Sequence, residues 1–143
     1  MTIARLIAGR DPTTIVSCDA AMSVDDAVRL LAEKRIGALP VYKEGRIAGI
    51  FSERDVVSQL ARHGPAMLAK TVGEVMTAPA ITVDPSTSIL AALALMTRRR
   101  IRHLPVVDDS GPLGFISIGD LVKYRIERIE TEAEAMRSYI QSA

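Results

Sequence analysis

Arg35-Ile36-Gly37-Ala38-Leu39-Pro40-Val41 and Arg100-Ile101-Arg102-His103-Leu104-Pro105-Val106 are one segment written twice. Pro105 follows Pro40 by 65 residues, and at that offset Asp19 meets Asp84, Ser23 meets Ser88, Ala27 meets Ala92 and Leu30 meets Leu95. Farther on, Gly49 meets Gly114, Ser52 meets Ser117, Asp55 meets Asp120 and Val57 meets Val122, without a gap. Matched apolar positions follow from a shared core. They do not explain why each copy keeps Ser-x-x-Asp directly after an apolar strand, Gly49-Ile50-Phe51-Ser52 and Gly114-Phe115-Ile116-Ser117, so function is expected there.

Two copies of about 60 residues are each marginal alone, and a chain of 143 residues is expected to fold them against each other around one core. Apolar residues make up 48% of the chain and aromatics 3%, so that core is Ile, Val, Leu, Ala and Met. The net charge of +1 argues against a nucleic-acid binder that relies on a bulk positive field. Arg98-Arg99-Arg100 reads instead as cations complementing a helix C-terminus. No apolar run is long enough for a membrane span. Met1 to Leu6 lacks the features of a signal peptide, and the single Cys18 reads as a small buried hydrophobe. A cytoplasmic setting is expected. His63 and His103 lack a second ligand at metal spacing, so no metal site is expected.

Along each copy, β-branched runs at Ile15–Cys18 and Ala80–Val83 predict strands. Ser23 and Ser88 predict helix starts, with Val24, Ala27, Val28 and Leu31, or Ile89, Ala92, Leu93 and Met96, on the apolar face. Two hairpins follow, turning at Lys43–Arg46 and Asp108–Gly111, and a second helix opens at each Ser-x-x-Asp. Pro40 and Pro105 remove ladder donors, predicting an edge or bend with backbone groups left free nearby. Thr2–Ile7 resembles Thr71–Met76, so each copy begins with a short helical lead-in. The expected boundaries are 1–68 for the first motif with its lead-in, 69–124 for the second, and 125–143 for a C-terminal amphipathic helix. Leading into and along that helix Val122, Ile126, Ile129, Ala133, Met136 and Ile140 recur at spacings of four and three.

The duplicated Arg-Ile-x-x-Leu-Pro-Val, each followed by Gly-apolar-apolar-Ser-x-x-Asp, resembles the tandem cystathionine-β-synthase (CBS) domain pair, or Bateman module. The resemblance covers about Thr2 to Tyr124. It implies an α+β fold of two β-α-β-β-α motifs packed by pseudo-twofold symmetry, with two clefts between them. It further implies that the clefts bind adenosine compounds such as AMP, ADP, ATP, S-adenosylmethionine or dinucleotides, and that the chain is a homodimer. One cleft would join Ser52, Arg54 and Asp55 with Thr82, Asp84, Ile89, Arg102, His103 and Pro105. The other would join Ser117 and Asp120 with Ser17, Asp19, Val24, Gly37, Ala38 and Pro40.

Residue chemistry supports such a use: a strand-end hydroxyl and a helix N-terminus favour a phosphate, and a carboxylate accepts from paired ribose hydroxyls. Ser52 and Ser117 could equally serve only as helix caps, with Asp55 and Asp120 as first-turn charges. Because Arg suits bidentate phosphate recognition, the Arg102 cleft is expected to prefer phosphorylated nucleotides and the Ala38 cleft to be empty, weaker or selective for a less charged adenosine group. No nucleophile set, P-loop or paired catalytic carboxylates are present, so the chain is expected to be a regulatory module with a nucleotide as regulatory ligand and no catalytic cofactor. The partner it would signal to is not legible. A constitutive dimerisation or docking module with vestigial clefts is the alternative.

Overall fold

Ser23 accepts a hydrogen bond from the Asp26 amide (3.1 Å) and Ser88 one from the Ala91 amide (3.0 Å), and these caps open the two matched helices of the computed structural model, which describes residues 1–142. After a short helix α1 (Ile3–Ile7) and a 3₁₀ turn (Pro12–Thr14), the first copy runs β1 (Cys18–Asp19), α2 (Val24–Lys34), β2 (Ala38–Lys43), β3 (Arg46–Ser52) and α3 (Glu53–His63). A 3₁₀ segment (Gly64–Ala69) and α4 (Val72–Val75) lead to α5 (Ile89–Arg99), β4 (His103–Asp108), β5 (Gly111–Ser117) and α6 (Ile118–Ser142). The fold is α+β, as expected, with a C-terminal helix. Ala143 of that expected helix lies outside the described residues.

The symmetry is detailed. Both hairpins are antiparallel, and each slips register at the same place, Val41/Tyr42 and Val106/Val107. Glu53 N donates to Gly37 O (3.0 Å) and Ile118 N to Arg102 O (2.8 Å), the same bond 65 residues apart. Both α2 and α5 end on an arginine in the left-handed region, Arg35 (φ 53°) and Arg100 (φ 54°), where glycine is the usual choice.

The first strands are shorter than predicted, and prolines explain it. Only Cys18 and Asp19 pair in parallel with Val41 and Tyr42, and the second copy has a single bridge, Val83 to Val106. Val83 N donates to Pro105 O (3.0 Å), but a proline has no N–H to return toward a preceding residue, so the ladder stops on that side. On the other side Ala20 N donates to Tyr42 O (2.8 Å), whereas the matching residue in the second copy is Pro85, and the pairing shrinks to one residue. Pro40 sits in the central strand of the three-stranded sheet, opposite Ile50, and Pro105 in the two-stranded β4-β5 sheet, opposite Phe115, each close to its hairpin's register slip. Ile50 directs both its amide and its carbonyl to Thr77 (3.0 and 2.9 Å), so no donor is required of Pro40 there.

Two buried clusters form instead of one, and the lead-ins are exchanged between them. Ile3 and Leu6 of α1 pack with Ile89, Leu104, Ile116 and Leu121 of the second copy. Val72 and Val75 of α4 pack with Leu31, Leu39, Val41 and Phe51 of the first. The bridges Thr2 to Ser88 and Ser23 to Thr71 tie each lead-in to the opposite copy. Ile3 and Val72 are fully buried, and each contributes about 1.5–3 kcal/mol to holding the copies together. Two linkers therefore cross between the copies. Among the described residues no helix is long and apolar enough to cross a membrane.

Candidate functional site

The linkers differ in length: ten residues separate Ile7 from Cys18, and six separate Met76 from Val83. The short one lies flat on β3. Its Met76-Thr77 stretch passes so close to Gly49 that a Cβ there would stand 2.6 Å from Thr77 O and 2.8 Å from Met76 Sδ. Thr77 Oγ1 also donates to Asp55 Oδ1 (2.8 Å). Asp55 Oδ2 accepts from both the amide (2.9 Å) and the hydroxyl (3.1 Å) of Ser52. Every strong group of this Ser-x-x-Asp is thus engaged within the protein.

The long linker behaves differently. It makes a strap, Ala8–Ser17, whose 3₁₀ turn is capped by Asp11 accepting from Thr13 N (2.9 Å), and a cavity of about 480 Å³ remains beneath it. The strap contributes Arg10, Asp11, Thr14, Ile15 and Val16 to the walls, the first copy adds Arg35, Ile36, Gly37 and Ala38, and the second adds His103, Leu113, Gly114, Phe115, Ser117 and Asp120. Ser117 and Asp120 close a capping box, Asp120 Oδ2 accepting from Ser117 N (3.0 Å) and Ser117 Oγ from Asp120 N (3.1 Å). Among the described residues Asp120 Oδ1 has no hydrogen-bond partner, and the Ser117 hydroxyl keeps its proton to donate. Arg10 Nη1 stands 3.7 Å from Asp120 Oδ2 across a partly solvated gap.

His103 stacks on Phe115, ring centroids 5.4 Å apart and planes 14° from parallel. Burial pulls its pKa below the ordinary 6.5, against the opposing pull of the Asp120 and Glu53 carboxylates and with a smaller downward push from Arg102. Pro40 cannot supply an N–H, and the Val16 carbonyl accepts no hydrogen bond among the described residues. The crevice thus joins two guanidinia, a carboxylate oxygen, a hydroxyl and a backbone carbonyl to walls of Ile15, Val16, Ile36 and Ala38.

Of the residues read from the sequence for this crevice, the structure brings together Ser117, Asp120, Gly37 and Ala38. Ser17 lies one residue past the lining, Asp19 turns onto the Ala21 amide (2.8 Å), Val24 is wholly buried in the first core, and Pro40 is buried in β2. The residues read for the opposite cleft are engaged in several separate contacts. Arg54 Nη1 donates to the Arg100 carbonyl (3.0 Å), Ile89 is a core residue, and the Pro105 carbonyl accepts from Val83 N (3.0 Å). Asp84 accepts from the Ser86 amide (2.8 Å) and hydroxyl, and these bonds hold its carboxyl below the usual range. Thr82 and Asp84 line a separate hollow with Leu95 and Arg98, Arg102 is exposed, and His103 faces the strap crevice. Arg10, Arg35, Ile15, Val16 and Phe115 were not anticipated; the unequal linker lengths were the visible signal.

The CBS domain family profile matches residues 11–62 and 72–127, nearly the extent of the two copies. The chain belongs to the CBS domain family. A CBS-domain protein from Burkholderia ambifaria MC40-6 superposes with a TM-score of 0.82 at 42% identity, covering 89% of this chain and 95% of that one. CBSX2 in complex with AMP superposes with a TM-score of 0.74 at 29% identity, covering 88% and 96%. The CBS domain-containing protein CBSX3, mitochondrial, of Arabidopsis thaliana is 39% identical over 129 residues, which are 87% of this chain and 63% of that protein. CBSX2 is thus a CBS pair that holds a small ligand, and in this chain a crevice lies under the longer linker.

Proposed function

We propose that this CBS pair binds an adenosine-containing ligand in the strap crevice and reports its occupancy to a partner through the surface of a homodimer. The observation that carries the reading is the inequality of the two capping boxes: Asp55 is saturated by Ser52 and Thr77, while Asp120 and Ser117 keep an acceptor and a donor free at the crevice. CBSX2, a fold relative with AMP bound, supports the ligand class. In this reading Asp120 accepts from the ribose hydroxyls, Arg10 and Arg35 take phosphate oxygens, and Ile15, Val16, Ile36 and Ala38 hold the base. A phosphate would compete with Asp120 for Arg10. The balance of cations differs from that expected of the sequence, so the phosphate preference moves from the Arg102 side to the Ala38 side.

Signalling follows from connectivity. The strap joins α1, packed on the second copy, to β1 of the first, so a ligand beneath it touches both bodies at once. It shifts the equilibrium between open and closed arrangements only by its differential affinity for them. A panel of AMP, ADP, ATP, NAD, NADH and S-adenosylmethionine, scored by thermal shift and calorimetry, tests the reading. A ligand present at 100 times its Kd adds about 2.7 kcal/mol of stability. At least one phosphorylated adenosine compound is expected to raise Tm, with the effect lost in Asp120→Ala and kept in Asp55→Ala. Indifference to the whole panel would leave a docking module with vestigial clefts.

A further inference from the structure

Beyond Leu121, α6 has no fully buried residue among those described, yet it runs on to Ser142 with Ile126, Ile129, Met136, Tyr139 and Ile140 half-exposed or more. Met136 and Ile140 are 61% and 65% exposed. Apolar side chains at spacings of four and three make a coiled-coil seam, with Ile126, Ala133 and Ile140 at one core position and Val122, Ile129 and Met136 at the other. The flanking positions then follow. Arg125 and Glu132 precede core residues, and Lys123, Glu130 and Arg137 come just after them.

We infer that α6 pairs in parallel and in register with α6 of a second copy of this chain. In a parallel pair the residue before the Ile126 or Ala133 core position faces the partner's residue five places later. Arg125 then meets the partner's Glu130, and Glu132 meets the partner's Arg137, four opposite-charge contacts in all by symmetry. An antiparallel pair that covers the same seam centres on Thr131. It sets Glu130 against the partner's Glu130, Glu132 against the partner's Glu132, and Lys123 against the partner's Arg137. Sliding that pair by half the seam matches Arg125 with Glu132, but it leaves Met136 and Ile140 without a partner layer. Only the parallel register both covers the stripe and pairs the charges. It brings the two C-termini side by side and points the two crevice-bearing bodies the same way.

The pairing presupposes that the chain is a homodimer. The test uses the full chain with Cys18→Val, valine being the residue at the matching position 83. Sedimentation first asks whether the protein is a dimer; a monomer at micromolar concentration sinks both the homodimer and the pairing. Met136→Cys in that background is expected to cross-link to itself on mild oxidation, since core positions face their own copies in a parallel register. A dimer that fails to cross-link through Met136→Cys but does so when Ile126→Cys is added overturns the parallel register alone. Arg125→Glu is expected to weaken the dimer about tenfold, and adding Glu130→Arg to restore it. Restoration by Glu132→Arg instead would establish the shifted antiparallel pair and overturn the proposal.

Discussion

Thr77 Oγ1 donates to Asp55 Oδ1 at 2.8 Å, and its backbone pairs with Ile50 in both directions, whereas Ala8, one residue past Ile7 as Thr77 is past Met76, has no hydroxyl to offer Asp120. The linker that carries threonine is short and lies down; the one that carries alanine is four residues longer and arches. A single side-chain bond and a spacer length thus separate a carboxylate with both oxygens engaged from one with Oδ1 left open, in otherwise matched motifs.

Replacing Thr77 by valine keeps the shape and removes the donor, leaving Asp55 Oδ1 without its partner. Because the bond is solvent-accessible, the loss is expected to be about 0.5–1 kcal/mol, read from the midpoint of urea denaturation. Ligand affinity at the strap crevice should be unchanged. A fall in that affinity would mean the short linker is coupled to the strap crevice.

Gly49 and Gly114 occupy the same motif position but face different neighbours. An added Cβ at Gly49 meets a backbone carbonyl at 2.6 Å, which moves only with the whole linker, so Gly49→Ala should cost about 2–3 kcal/mol. At Gly114 the nearest atom is a side-chain methyl, Ile7 Cγ2 at 3.2 Å, which has to give by only a few tenths of an ångström, and the expected cost is about 1 kcal/mol or less. Equal costs would show that the short linker is not held where the structure has it.

The helices and hairpins were legible because they rest on local signals: Ser23 and Ser88 as caps, apolar residues at helical spacing, turns at Glu44-Gly45 and Asp109-Ser110. The strands at Ile15–Cys18 and Ala80–Val83 were over-read because β-branched composition says nothing about the partner, and the partner here carries proline at positions 40 and 105. The exchange of lead-ins was hidden for a related reason. Thr2 resembles Thr71, but which core Ile3 enters is decided by chain reach and packing. At the site, Asp55 and Asp120 look identical in sequence, and only Thr77, 22 residues away, distinguishes them.

Arg35 sits at φ 53° where its side chain costs about 1 kcal/mol relative to glycine, and it also lines the crevice. Arg35→Gly is therefore expected to raise Tm by roughly 3 °C while weakening a phosphorylated ligand several-fold. Arg100→Gly, at the matching position, should give the same thermal gain with no loss of binding. Differential scanning calorimetry beside titration calorimetry separates the effects, and undiminished affinity in Arg35→Gly removes this guanidinium from the phosphate site.

His103 gives the fold a pH dependence whose sign follows from burial. Its folded-state pKa is depressed below 6.5, so below that value the unfolded chain binds more protons than the native one, and stability rises with pH there. The contribution is complete above pH 6.5 and is lost as pH falls from 6.5 through the depressed native value. His103→Gln, which cannot charge, should flatten that part of the stability curve measured by urea denaturation between pH 7.5 and pH 5. A phosphate bound nearby would favour the imidazolium and raise the pKa again, so ligand binding should take up protons on the acid side of neutrality. Calorimetry in buffers of different ionisation enthalpy reads that uptake directly, and its persistence in His103→Gln would assign it to another group.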